Sequence, residues 1–184
     1  MENPFLLETE RLQLREITAA DAPVMYELNR DPEVIQYTGD EAFESIAETE
    51  TFIRNYQDYA RNGYGRWAVV RKDDGATLGW CGLKYLAESG ETDIGYRFFK
   101  KYWGQGYATE AAKGCLEFGF NKLGLEAIVA RAMHANLASI NVMKKLGMTY
   151  RNEVTCEAHP AVCYQITKPE FYRKFSNPAT PETV

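Results

Sequence analysis

The stretch Tyr102 to Ala111, Y-W-G-Q-G-Y-A-T-E-A, constrains the fold of this chain more than any other. It lies between a β-rich run, Thr92 to Phe99, and a helix-like run, Ala108 to Leu123, so its glycines fall where extended chain turns into helix. Lacking a Cβ, Gly104 and Gly106 let backbone N–H groups come close to a ligand. The first helical turn adds unpaired N–H donors and the positive end of the helix dipole. Such a junction suits an anion, and a pyrophosphate fits its dimensions. A lone G-x-G more often marks only a tight turn. The anion-site reading rests on agreement with the preceding strand, with the small residues Ala108, Ala111, Ala112 and Gly114, and with a second element, N-L-A-S-I-N-V-M-K-K-L-G-M, from Asn136 to Met148.

Around this loop the periodicities alternate between strand and helix. Leu6 to Ile17 reads as a first strand with Leu12 and Leu14 on its buried face, and Thr18 or Asp21 caps the helix that follows, with Pro23 in its first turn. Asp31-Pro32 ends that helix, Tyr37 to Ser45 is loop, and Ile46 to Arg61 is a second helix with Phe52, Ile53, Tyr56 and Tyr59 along one side, a stripe that reads as core before ligand. Trp67 to Arg71, Leu78 to Leu83 and Thr92 to Phe99 form an antiparallel meander, turned first at K-D-D-G. Gly95 in the third strand permits a bulge or a close approach. Ala127 to Ala132 returns parallel after a helical crossover. Asn136 opens the next helix as N-cap, Gly147 closes it, and Tyr150 to Val154 and Val162 to Thr167 are the last strands. One domain over residues 1–175 is expected, with 176–184, ending N-P-A-T-P-E-T-V, as a disordered tail.

The Gly-rich loop and the Asn136 element together resemble the GCN5-related N-acetyltransferase (GNAT) family, in its RimJ/RimL-like branch, over roughly Leu6 to Lys168. That branch often writes its loop as Y-W-G-x-G-Y-A-T-E-A and begins with E-T-E-R-L-x-L-R, a D-A helix and D-P-E-V. The resemblance implies an α/β fold whose mostly antiparallel central sheet has one splayed parallel strand pair and is flanked by helices. It also implies acetyl-CoA as co-substrate. The pyrophosphate falls to the loop of Trp103, Gly104, Gln105, Gly106, Tyr107 and Ala108, pantetheine to the splay, and further contacts to Asn136 and Ser139. The family's Arg or Gln at the head of the loop is Trp103 here, so binding leans on backbone donors. Tyr37, Phe43, Tyr64 and Trp67 become acceptor-pocket candidates, and a homodimer through the sheet or last hairpin is a further expectation.

Acetyl transfer to an amine needs a held thioester, a neutral amine and donors for the oxyanion, and no Ser or Cys nucleophile. A backbone N–H near Phe98 or Phe99 is the expected carbonyl donor. The tyrosine that serves the family as general acid is matched by Met143, which leaves water or Ser139 to protonate the thiolate. For the base, Asp93 and Glu91 lie on or beside the central strand, although an acid on a strand is as often structural; Glu110 reads as a helix N-terminal carboxylate and His134 as a hydrogen-bonded structural residue. A water chain remains open as the base.

Composition limits the partners. The net charge of −5 with no Lys/Arg stripe speaks against nucleic acid and for a cationic acceptor such as an amine or basic peptide terminus. No apolar run reaches the roughly 20 residues of a membrane span, the acidic start is unlike a signal peptide, and four scattered cysteines without C-x-x-C pairing disfavour a metal site, so a cytoplasmic enzyme is expected. The acceptor stays open between a protein N-terminus, as of a ribosomal protein, and a small-molecule amine. A module that binds acyl-CoA as a sensor without turnover is the alternative from another class.

Overall fold

Eight β-rich runs carry enough alternating apolar side chains to pair into one sheet, and a computed structural model describing residues 5–156 and 158–175 shows them so paired. The strands are β1 (Phe5–Glu8), β2 (Leu12–Glu16), β3 (Arg66–Arg71), β4 (Thr77–Leu86), β5 (Glu91–Phe98), β6 (Ala127–Met133), β7 (Thr149–Cys156) and β8 (His159–Thr167), in the order β1-β2-β3-β4-β5-β6-β8-β7. The helices are α1 (Ala22–Asn29), α2 (Pro32–Ile35), α3 (Ile46–Arg54), α4 (Asp58–Asn62), α5 (Tyr107–Asn121), α6 (Leu137–Lys145) and α7 (Lys168–Phe175). Neighbouring strands are antiparallel except β5 and β6, which the α5 crossover makes parallel. These two are in register at one pair, Asp93 with Val129, and splay beyond it. The expected tail, 176–184, lies outside the described residues.

Most of the core lies under α5. Leu12, Leu14, Trp67, Cys81, Leu83 and Ile128 of the sheet meet Ala111, Ala112, Cys115, Leu116 and Phe120 of the helix, all fully buried. Removing each leucine from water contributes about 2 kcal/mol. Close approach depends on a missing side chain, because a Cβ on Gly119 would stand 2.8 Å from Ile128 Cδ1. A smaller cluster of Met25, Leu28, Val34 and Ala68 joins α1 and α2 to the opposite face. No helix among the described residues is long and apolar enough to cross a membrane.

Several boundaries differ from expectation for physical reasons. The first strand is a hairpin, β1 and β2, turned at Thr9, whose N–H donates to Leu12 O at 2.9 Å. Asp31 ends α1 but also caps α2, accepting from Glu33 N at 2.9 Å. The second helix breaks into α3 and α4, which lets two phenols reach the sheet backbone: Tyr56 accepts from Arg66 N at 2.9 Å and Tyr59 from Ile17 N at 3.1 Å. Of the aromatic stripe read as core, Phe52 is 57% exposed. Gly95 makes no bulge, since β4 and β5 run in unbroken register through Gly82 and Gly95; it leaves room for a side chain, because a Cβ there would stand 2.7 Å from Arg66 Nη2. Helix α7, unanticipated, closes the bottom of the core with Phe171 tilted against Phe120 at 5.3 Å.

The β1–β2 turn is held from the far side of the chain by Glu110 in the first turn of α5. Its carboxylate accepts from Thr9 Oγ1 at 2.6 Å, Arg11 N at 2.8 Å and Arg11 Nε at 2.6 Å. Burial pushes its pKa up, but these bonds outweigh burial and hold it below the ordinary 4.5. A carboxylate lowered on folding contributes stability that is present above its unfolded pKa and lost as pH falls through the folded one. Glu110→Gln is therefore expected to lower the urea midpoint near neutral pH, with the gap to wild type closing in acid. A gap that persists in acid would show that the clamp owes nothing to the charge.

Candidate active site

Beyond the Asp93–Val129 pair, the diverging strands leave a cleft of about 600 Å³ with two helix N-termini at its mouth. One belongs to α5, whose N-cap is Gly106 at φ 83°, with Gly104 at φ 73° just before it. These left-handed conformations are open to glycine and strained for other residues. The other belongs to α6, where Asn136 accepts from Ser139 N at 3.1 Å. Trp103, Gly104, Gly106, Tyr107, Ala108, Asn136 and Ser139 all line the cleft, as does Lys145, a cation that sequence reasoning passed over. Trp103 donates its indole N–H to Phe98 O at 2.8 Å, which pins the loop to the end of β5. Gln105 does not line the cleft; its side chain donates to Lys101 O at 2.9 Å.

The backbone of β5 points alternately to its two neighbours. Phe99 N–H is taken by Leu78 O of β4 at 3.0 Å, so Phe99 is not the open donor its position in the sequence allowed. By alternation Phe98 and Tyr96 aim their N–H groups at the splay. Phe98 lines the cleft and Phe99 does not.

A second cavity, about 540 Å³, lies on the sheet face opposite α5, between Arg66, Trp80, Asp93 and Arg97 and the helices α1 and α3. Cleft and cavity share Tyr37, Thr38, Tyr96, Arg97, Asn136 and Ser139, and so communicate through the splay. At that junction Tyr96 Oη lies 3.0 Å from Ser139 Oγ and donates to Ser139 O at 3.1 Å. Burial pushes the Tyr96 pKa up, which keeps the phenol protonated. Tyr96 was missed in the sequence, where only its place after Gly95 in I-G-Y marks it. Met143, in place of the tyrosine that the resemblance led one to look for, is 1% exposed and lines the same cavity.

Asp93 sits in this cavity and pairs with Arg66, Oδ2 to Nη2, at 2.7 Å. Both side chains are largely buried, at 13% and 16% exposure. Burial raises the Asp93 pKa above its ordinary value even though Arg66, Arg131 and Lys84 oppose the shift. Glu91 is placed differently. It lies outside both lined surfaces, and ion pairs with Arg151 and Arg131 hold its carboxylate below the ordinary range. Glu110 is spent on its clamp, and His134 is exposed against Glu153 at 2.6 Å.

Of the acceptor-wall candidates, Tyr37 and Phe43 line the cavity, Phe43 against Phe52 with ring centroids 5.4 Å apart. Tyr64 and Trp67 do not. Tyr64 is buried with its hydroxyl on Thr92 Oγ1 at 2.9 Å, and Trp67 is fully buried, edge-on to Phe118 at 5.2 Å. The reason is strand alternation: Arg66 takes the cavity face of β3, so its neighbour Trp67 must point under α5. The charge of the cavity also departs from that of the chain. Its wall carries four cations, Arg66, Lys84, Arg97 and Arg131, against three carboxylates, Asp40, Glu41 and Asp93.

Residues 11–149 match the Acetyltransferase (GNAT) domain family. An uncharacterized N-acetyltransferase, p20, of Bacillus licheniformis is 32% identical over 142 residues, spanning 76% of this chain and 80% of that protein. A GNAT-family acetyltransferase from Bacillus anthracis superposes with TM-score 0.76 and 26% identity over 89% of this chain and 98% of that one. AAC(6')-Ib, solved with ribostamycin and coenzyme A, shares the fold at TM-score 0.74 and 20% identity over 92% of this chain and 100% of that one.

Proposed function

The chain belongs to the GNAT acetyltransferase family, and we propose that it is an N-acetyltransferase of the RimJ/RimL-like branch, acting on a primary amine bound in the cavity over Asp93. The observation that carries this reading is the meeting of cleft and cavity at Tyr96 and Ser139, which gives two ligands separate approaches to one point.

The cleft suits acetyl-CoA. Two helix N-termini at its mouth favour a diphosphate, and the Tyr96 and Phe98 N–H groups suit the amide-bearing arm that follows it. When bound, acetyl-CoA supplies the acetyl group as a thioester. The protein positions it and manages protons. Gly104 and Gly106 admit the phosphates to backbone donors, and Trp103 fixes the loop without adding charge. Tyr96, held neutral, hydrogen-bonds Ser139 and orients its hydroxyl toward the leaving sulfur, a role for which Met143 has no polar group. Asp93 accepts the amine's proton. With a strand rise of about 3.3 Å per residue it stands about 10 Å along β5 from Tyr96, so the proton reaches it through solvent in the cavity.

A titration with acetyl-CoA, followed by thiol release against a panel of amines and N-terminal peptides, tests the proposal. Saturable binding with release in the presence of an amine is expected. Binding without release on any acceptor would favour an acyl-CoA sensor, the outcome to which Met143 points, and absence of binding would overturn the cleft assignment.

A further inference from the structure

The cavity over Asp93 offers a ligand almost no free charge. Three of its four cations are matched within the protein: Arg66 by Asp93 at 2.7 Å, Arg97 by Asp40, and Arg131 at 3.0 Å by Glu91, which lies outside the lined surface. Lys84 and Glu41 remain; both are exposed, they have opposite signs, and neither is within ion-pair distance of a partner among the described residues. A charge that faces water attracts a ligand only weakly, whereas a second ligand charge carried inside loses its hydration without gaining a partner.

The wall facing the sheet is apolar. Met25 and Leu28 of α1, Phe43 of the loop before α3, and Phe52 and Ile53 of α3 line it, with Phe52 more than half exposed and its ring centroid 5.4 Å from that of Phe43. The buried polar side chains on this side are satisfied inside the protein: Asn29 donates to Glu41 O at 3.0 Å and accepts from Arg97, and Thr49 donates to Ser45 O at 3.0 Å. On the sheet, the Trp80 ring centroid lies 5.4 Å from the guanidinium of Arg66 and 5.3 Å from that of Arg97, so its π face holds the same two charges. Large apolar side chains left open to a cavity mark where an apolar ligand removes area from water.

Building on the acetyltransferase reading, we infer that the acceptor is a small monoamine with an uncharged apolar body, of the alkyl or arylalkyl kind. Its nitrogen lies at the junction by Tyr96 and Ser139, and its body lies against Phe43 and Phe52. The cavity of about 540 Å³ has room for a phenyl or pentyl body. The exposed Phe52 ring thereby gains a task that packing of the fold does not give it. The net charge of −5 belongs to the rest of the chain, because the charges of this wall balance once Glu91 is counted with Asp40, Glu41 and Asp93.

The test measures thiol release at saturating acetyl-CoA with the straight-chain amines from ethylamine to pentylamine, phenethylamine, putrescine, δ-aminovalerate, spermidine and a serine-starting peptide. Along the straight-chain series kcat/KM is expected to rise about fourfold per added CH₂, the factor that burial of one methylene gives. Pentylamine should exceed putrescine and δ-aminovalerate, which have similar length and a charged far end, by about tenfold or more. The advantage of phenethylamine over ethylamine should fall severalfold in Phe52→Ala and in Phe43→Ala, with circular dichroism reporting the fold. The wild-type series tests the inference without any variant. A flat series, a charged-ended acceptor or the peptide exceeding both pentylamine and phenethylamine, or ratios unchanged in the folded variants would overturn the inference while leaving acetyl transfer standing. Acetyl-CoA binding without release from any acceptor would overturn the acetyltransferase reading and this inference with it.

Discussion

Gly106→Trp is expected to weaken acetyl-CoA binding by about 100-fold or more, equivalent to about 3 kcal/mol, while the protein stays folded. Gly106 is the N-cap of α5 at φ 83°, and a Cβ there would approach Arg11 Nη2 at 3.4 Å. An indole at this cleft-lining position is expected to crowd the backbone N–H groups proposed to meet the phosphates. Loss of two such charge-assisted bonds accounts for the expected change. The backbone cost is smaller: a non-glycine residue in this conformation is strained by about 1–2 kcal/mol. In a chain of this size that lowers Tm by only about 2–4 °C per kcal/mol. Binding by calorimetry and melting by circular dichroism separate the two effects. Gly106→Ala should show the strain with little of the binding loss. Wild-type affinity in the tryptophan variant would remove the loop from the cofactor site.

The second large effect is expected at Asp93. Asp93→Asn should lower kcat by about 100-fold, within the usual range for removal of a general base, and leave acetyl-CoA affinity nearly unchanged. It should also lower stability by about 3 kcal/mol, since Arg66 would keep a largely buried charge without its partner. Arg66→Gln distinguishes these roles, because it breaks the same ion pair and retains the carboxylate. Arg66 is the first of the groups that oppose the burial-driven rise of the Asp93 pKa, so its removal raises that pKa further. A base must be ionised to act, so turnover in Arg66→Gln should persist near neutral pH with the acid limb of its pH–rate profile moved to higher pH. An unmoved limb, or equal loss of turnover in both variants, would leave Asp93 with only the structural task of pairing Arg66.

The Gly-rich loop was legible in the sequence because every feature it needs is local: a strand end, two residues free to take positive φ, and a helix of small residues within about twenty positions. Asn136 was legible for the same reason, its side chain bonding the backbone three residues on. The splay was foreseen through the family resemblance, and the single register pair between β5 and β6 shows where it begins. Trp67 was misplaced because R-W-A-V-V is buried on both faces, and a continuous apolar strand carries no phase to tell its cavity side from its core side. The split of the first strand depends on Glu110, about a hundred residues away, which no local pattern contains.

Local chain chemistry thus specified most of the elements, their order and the Gly-rich strand-to-helix junction, since these follow from side-chain period, capping and glycine backbone freedom over short spans. Only tertiary packing decided what lines the cavity over Asp93. Tyr96 meets Ser139 across 43 residues of sequence, Arg66 reaches Asp93 across 27 through the space left by Gly95, and Arg97 meets Asn29 across 68. Burial and the sign of a charged partner arise when distant strands and helices come together, and on these depend both the ionisation of Asp93 and the charge of the cavity around it.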